Sequence, residues 1–285
     1  MGRDAADETL YLLTLDGDFD DLIEDLESDE LGSRRPTLER SGNVQALERW
    51  DAAAQAPAFA DGCRGGVPET CPYFFFYQGS RLALVRAAAS GLDQDDWELC
   101  FDQLEGSLRL IRRLLETNRR LVAAMVGVAA AGEHFRGALV LLNAAPPLSA
   151  EADAAARRLS AELKRWSTSD ALDTKTDAVV ERAIRGEYLS IRAGIEAYRT
   201  DSSNFVDRLR FDATRSDRLL VEHIRYLRGE RAGPVSCGNV DVLLNDWGCQ
   251  RLAEDPSETR VHVVELASDR IALRESLGRL RRALD

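Results

Sequence analysis

Residues 95–115 read DDWELCFDQLEGSLRLIRRLL, and this stretch decides the fold. Leu104, Leu108, Ile111 and Leu115 fall at i, i+4, i+7 and i+11, so they line one face of an α-helix. Asp93 or Asp95 is placed to cap its start, because a short carboxylate accepts from the free amides of a first turn. Cys100 lies inside the same pattern and reads as a buried thiol.

The pattern extends in both directions. Upstream, Val44 to Ala56 reads as a helix around Leu47 and Trp50, and Pro72 to Ser90 as another that Gly91 stops. Downstream, Leu121, Met125 and Val128 carry the period past Thr117-Asn118. Gly132 is expected to precede a further helix through Phe135, Leu139 and Leu142, ended by Pro146-Pro147. Ser149 caps a helix with the stripe Leu159, Leu163 and Trp166.

Thr174 with Asp177 has the capping-box spacing, ahead of a stripe of Val180, Ile184, Tyr188, Ile191, Ile195 and Tyr198. A helix over about 213–231 stops at Gly233-Pro234. Asp255-Pro256-Ser257-Glu258 opens the last one, which carries Leu273, Leu277, Leu280 and Leu284 on one face. Only Val261, Val263 and Val264 offer a short strand in competition.

The fold class is therefore all-α. Short connections make successive helices antiparallel neighbours, which predicts an antiparallel bundle of stacked α-hairpins. The Gly…aromatic…Ala…Pro spacing from Ala131 to Pro146 adds a partly tetratricopeptide-like element. Residues 1–31 form an acidic N-terminal segment and 32–285 a single helical domain, with a sub-division at 146–149 as the alternative.

Charge is distributed unevenly over the 285 residues. Residues 1–31 hold 12 acids against Arg3, whereas the remaining 254 carry 37 acids and 36 bases. A neutral body with an acidic tail is a poor match for nucleic acid, whose phosphates need a basic surface. The 35 Arg, 38 Ala and 39 Leu favour helix. The pairs Arg112-Arg113, Arg119-Arg120, Arg157-Arg158 and Arg281-Arg282 read as solvated helix faces with carboxylates nearby. The longest apolar run, Leu121 to Gly132, is followed at once by Glu133, His134 and Arg136, so the chain as given is expected neither to span a membrane nor to carry a signal peptide.

Cys63 and Cys71 bracket a Gly/Pro turn, and Cys237 and Cys249 bracket a second short segment. Both spacings permit a local disulfide, which would mean an oxidising compartment; five reduced cysteines in a cytoplasmic protein is the alternative. Neither pair is a CxxC and there are three histidines, so zinc is not expected.

The Cys63/Cys71 loop, Leu108-Arg-Leu-Ile-Arg-Arg-Leu-Leu, Leu121-Val-Ala-Ala-Met-Val and Ala183-Ile-Arg-Gly-Glu-Tyr together cover about residues 60–200. In that order they resemble an uncharacterised family of membrane-anchored, all-helical proteobacterial proteins that face the periplasm. The resemblance implies a helical fold and a periplasmic location, with the signal or anchor outside this chain, and it implies no chemistry. The acidic segment 16–30 departs from that family.

Two constellations suit divalent cations. Asp16, Asp18, Asp20, Glu24 and Glu27 take positions 1, 3, 5, 9 and 12 of a calcium loop, although Asp21 stands where the turn calls for Gly. The alternative is an acidic amphipathic helix with Phe19, Leu22, Ile23 and Leu26 inward. Asp20-Asp21 with Glu24-Asp25 also has the form that holds Mg²⁺ against a diphosphate in isoprenoid-type enzymes. Asn245-Asp246 with Cys249 and Glu254 is an imperfect partner motif for it.

Nucleophilic catalysis has no GxSxG, HExxH or glycine-rich phosphate loop behind it. His134, His223 and His262 each sit in helical patterns, and Glu187 is expected at an exposed edge of its stripe, with a buried acid as the alternative. Tyr73, Phe74, Phe75, Phe76 and Tyr77 are consecutive, and one helix face cannot bury all five. Some of them are expected to pack under the Cys63/Cys71 loop, or to form a surface for a protein partner or a lipid-facing groove. The sequence thus points to a non-enzymatic, extracytoplasmic helical protein that binds another macromolecule, with calcium or Mg²⁺–diphosphate chemistry as the alternatives.

Overall fold

The computed structural model describes residues 38, 41–57, 73–118, 120–172, 178–201, 213–230, 232 and 256–284. They form eight α-helices and no strand. These are α1 (Ser41–Gln55), α2 (Tyr73–Ala88), α3 (Trp97–Thr117), α4 (Leu121–Ala144), α5 (Ala150–Thr168), α6 (Ala178–Asp201), α7 (Ala213–Leu227) and α8 (Pro256–Leu284).

The stripe of α3 does what its period requires: Leu104, Leu108, Ile111 and Leu115 are all completely buried. Around it the helices run up and down. Along α3 and α5 the contacts advance together, from Asp102–Arg158 through the Leu108 carbonyl with Trp166 to Glu116–Ser169, so these two run parallel. On α2 and α4 the same holds for Arg81–Glu133 and then Leu84 against Gly137. From α2 to α5, alternate helices are thus parallel and successive ones antiparallel, as short connections demand.

One core runs through all of this, from Leu47 and Trp50 of α1 to Leu280 of α8, and it continues across 146–149. In that connection Ser149 Oγ accepts from the Ala152 amide at 3.2 Å and caps α5 as expected. The inner seam of α8 is Val263, Leu266, Arg270, Leu273, Leu277 and Leu280, all buried at alternating three- and four-residue steps. Arg270 reaches the Ala171 carbonyl at 3.2 Å, which places a polar anchor within an apolar seam.

Several local expectations are corrected. Gly91 does not stop α2; a π-helical turn, Ala89–Asp93, carries the chain through it. A Cβ there would lie 3.0 Å from the Trp97 ring and 3.2 Å from Cys100 Sγ, so only glycine permits that approach. The extra residue moves the cap of α3 to Asp96, which accepts from the Leu99 amide at 3.0 Å. Asp95, at φ 55°, instead takes the Trp97 indole N–H at 2.9 Å.

Gly132 does not divide residues 121–144 either, because α4 is continuous and ends at Ala144 before Pro146. The stretch 131–146, read as hairpin-like, mostly lies inside this one helix. Among the described residues α4 alone is long and apolar enough to cross a membrane; it carries Glu133, His134 and Arg136, and α2, α3, α6 and α8 pack around it. Val261, Val263 and Val264 are helical: Val263 faces in, Val261 and Val264 face out.

Candidate functional site

Polar groups enter the bundle at three places. In the first, α2 and α4 bring Tyr77, Arg81 and Glu133 together. Arg81 Nε donates to both Glu133 oxygens at 3.1 Å, and the Tyr77 hydroxyl donates to Oε1 at 2.7 Å. The Arg81 guanidinium also lies 5.0 Å from the centre of the Tyr77 ring. Arg81 and Glu133 are both buried, and the pair offsets the desolvation that either charge alone would suffer.

The second lies between α3 and α5. The Glu162 carboxylate is completely buried; it accepts from Arg112 Nε at 2.7 Å and from Arg165 Nη1 at 3.0 Å. Arg112 also binds Glu116 at 2.8 Å, and Glu116 accepts from the Ser169 hydroxyl at 2.7 Å. Those two carboxylates hold the Arg112 guanidinium above its usual range despite partial burial. Further out, Arg158 binds Asp102, and Arg157 binds Asp153. So the expectation of solvated arginine faces holds for Arg157 and Arg158 and is corrected for Arg112, a mostly buried inter-helix latch. Arg113 donates to the Ala56 carbonyl at 2.5 Å and ties α1 down. Arg281 is half-buried and Arg282 exposed, while Arg119 lies outside the described residues.

The third is the junction of α3, α4 and α6. Arg120, at the N-cap of α4, gives no side-chain hydrogen bond to its first turn. Glu187 of α6 supplies it from outside, accepting from the Leu121 amide at 3.1 Å. A carboxylate there also meets the positive end of the helix dipole. Half-buried Glu187 is therefore a capping residue, not a free edge acid. Arg182 donates to the Leu115 carbonyl at 3.0 Å, and Asn118 faces the Val179 carbonyl at 3.5 Å.

The aromatic run divides by helix face. Tyr73 is buried against Leu114 and Ala123, Phe76 meets the Trp50 ring at 5.0 Å, and Tyr77 binds Glu133. Phe75 is half-buried, and the Phe74 side chain lies outside the described residues. Tyr73, Phe76 and Tyr77 are thus engaged within the chain. Asp16, Asp18, Asp20, Glu24 and Glu27 lie outside the described residues, as do Cys63, Cys71, Cys237 and Cys249. Cys100 is a free, buried thiol, and burial pushes it up to about 12, so it is unreactive at neutral pH.

His134 is completely buried, with Nδ1 2.9 Å from the Ala130 carbonyl and no partner at Nε2. A carbonyl only accepts, so Nδ1 carries a proton. Burial pulls it down to about 4, and it pulls His223 down as well. Among the described residues no three His, Cys, Asp or Glu side chains converge as a metal would need.

On the outside, α8 carries what residue-by-residue reading missed. Val261, Val264 and Ile271 are 51%, 61% and 55% exposed, on the side opposite the buried seam. With Ser268 they step 3, 4 and 3 residues, a second seam on the same helix. The signal was present in the sequence as two interleaved apolar series, only one of which can face a bundle. Comparison of the chain with protein families, with curated proteins and with solved structures finds no match.

Proposed function

We propose that this chain is a non-enzymatic helical scaffold that acts outside the cytoplasm by binding another macromolecule. The observation that carries the reading is the outer face of α8, where Val261, Val264 and Ile271 remain more than half exposed on a helix whose other face is fully packed. Covering the exposed part of each would contribute about 1 kcal/mol, from the 25 cal/mol per Å² of apolar burial. The polar groups within the bundle support it from the other side: Glu133, Glu162 and Glu187 are each held by arginines or a helix amide. The cysteine spacings 63/71 and 237/249 support the oxidising compartment.

The test is a photoreactive benzoylphenylalanine placed at Val264, with exposed Arg136 on α4 as the control position. In the source cell, the expected outcome is one adduct of defined mass from position 264 and none from 136. No adduct from either position overturns the reading. The rival is a cation site, carried by the calcium-loop spacing of Asp16, Asp18, Asp20, Glu24 and Glu27. A cation at ~100 times its dissociation constant would add about 2.7 kcal/mol to stability. A Ca²⁺-dependent rise in Tm that vanishes when the chain starts at residue 32 would put calcium binding in place of the plain scaffold. A rise needing Mg²⁺ with diphosphate would put an enzyme there.

A further inference from the structure

We draw no further inference here: the strongest candidate, the exposed apolar stripe Val261, Val264 and Ile271 on the outer face of α8, already belongs to the proposed function, and nothing in the structure shows what class of partner covers it.

Discussion

The α3–α5 pair and α8 solve the same problem in different ways. Each buries an apolar seam at helical spacing against its neighbours. The surfaces outside the seam differ. Along α3 and α5 the residues beside the seam are charged or carry a hydroxyl and latch one helix to the other, as in Asp102–Arg158, Arg112–Glu162 and Glu116–Ser169. On α8 the face opposite the seam exposes Val261, Val264 and Ile271. A polar rim seals a pair of helices and leaves little for a partner; an apolar outer face leaves surface that water disfavours.

The largest expected effect lies in the sealed pair. Glu162→Ala leaves the mostly buried Arg112 with Glu116 alone and should cost about 3 kcal/mol, the low end for breaking a buried ion pair. Urea denaturation followed by circular dichroism measures it. Replacing Arg112 and Glu162 together by Met and Leu should recover most of the loss. If Glu162→Ala costs under about 0.5 kcal/mol, within the range of surface changes, the latch is decoration and the contrast with α8 fails.

Acid should act on the interior histidines next. His134 is neutral in the fold down to about 4, whereas an unfolded histidine binds its proton near 6.5. The unfolded chain therefore holds more protons as pH falls below about 6.5, and stability drops until the folded pKa is reached. Over that window the loss from His134 is about 3 kcal/mol, and lowered His223 adds in the same direction. Urea midpoints between pH 7 and pH 4 check it, with His134→Gln expected to remove the larger part of the slope.

Two glycines of α4 sharpen the comparison at smaller scale. A Cβ on Gly137 would sit 2.8 Å from buried Leu84, so Gly137→Ala should destabilise by about 1–2 kcal/mol through overpacking. A Cβ on Gly132 would meet nothing within 4 Å, so Gly132→Ala should stabilise by about 0.5–1 kcal/mol through helix propensity alone. Thermal melts of the two variants should move in opposite directions. The smallest effect belongs to α8: Val261→Glu with Ile271→Glu should change folding stability by under about 0.5 kcal/mol while abolishing the adduct from the probe at position 264. A loss above 2 kcal/mol would mean that the stripe is structural and not a docking surface.

Much of the architecture was legible in particular residues. Leu104, Leu108, Ile111 and Leu115 announced α3, Ser149 announced the start of α5, and Leu273, Leu277 and Leu280 announced the inner face of α8. Cys100 was readable as buried from its place in the period. The candidate surface was less legible. The aromatic run drew attention because it is consecutive, yet Tyr73, Phe76 and Tyr77 turn inward, while at 261–264, where a short strand competed with the expected helix, the helix prevails and leaves Val261 and Val264 outside.

By itself the sequence determined where helices form, where several of them begin and which face each turns inward. Those properties depend on residues three or four apart, and a chain carries them before it folds. The tertiary structure alone decided three other things: that α4 runs unbroken through Gly132, that Glu162 and Glu133 find arginines about 50 residues away, and that the second apolar series of α8 stays outside. Helix packing sets such pairings, because it chooses which of many distant groups share a dry interior, and no local spacing encodes that choice.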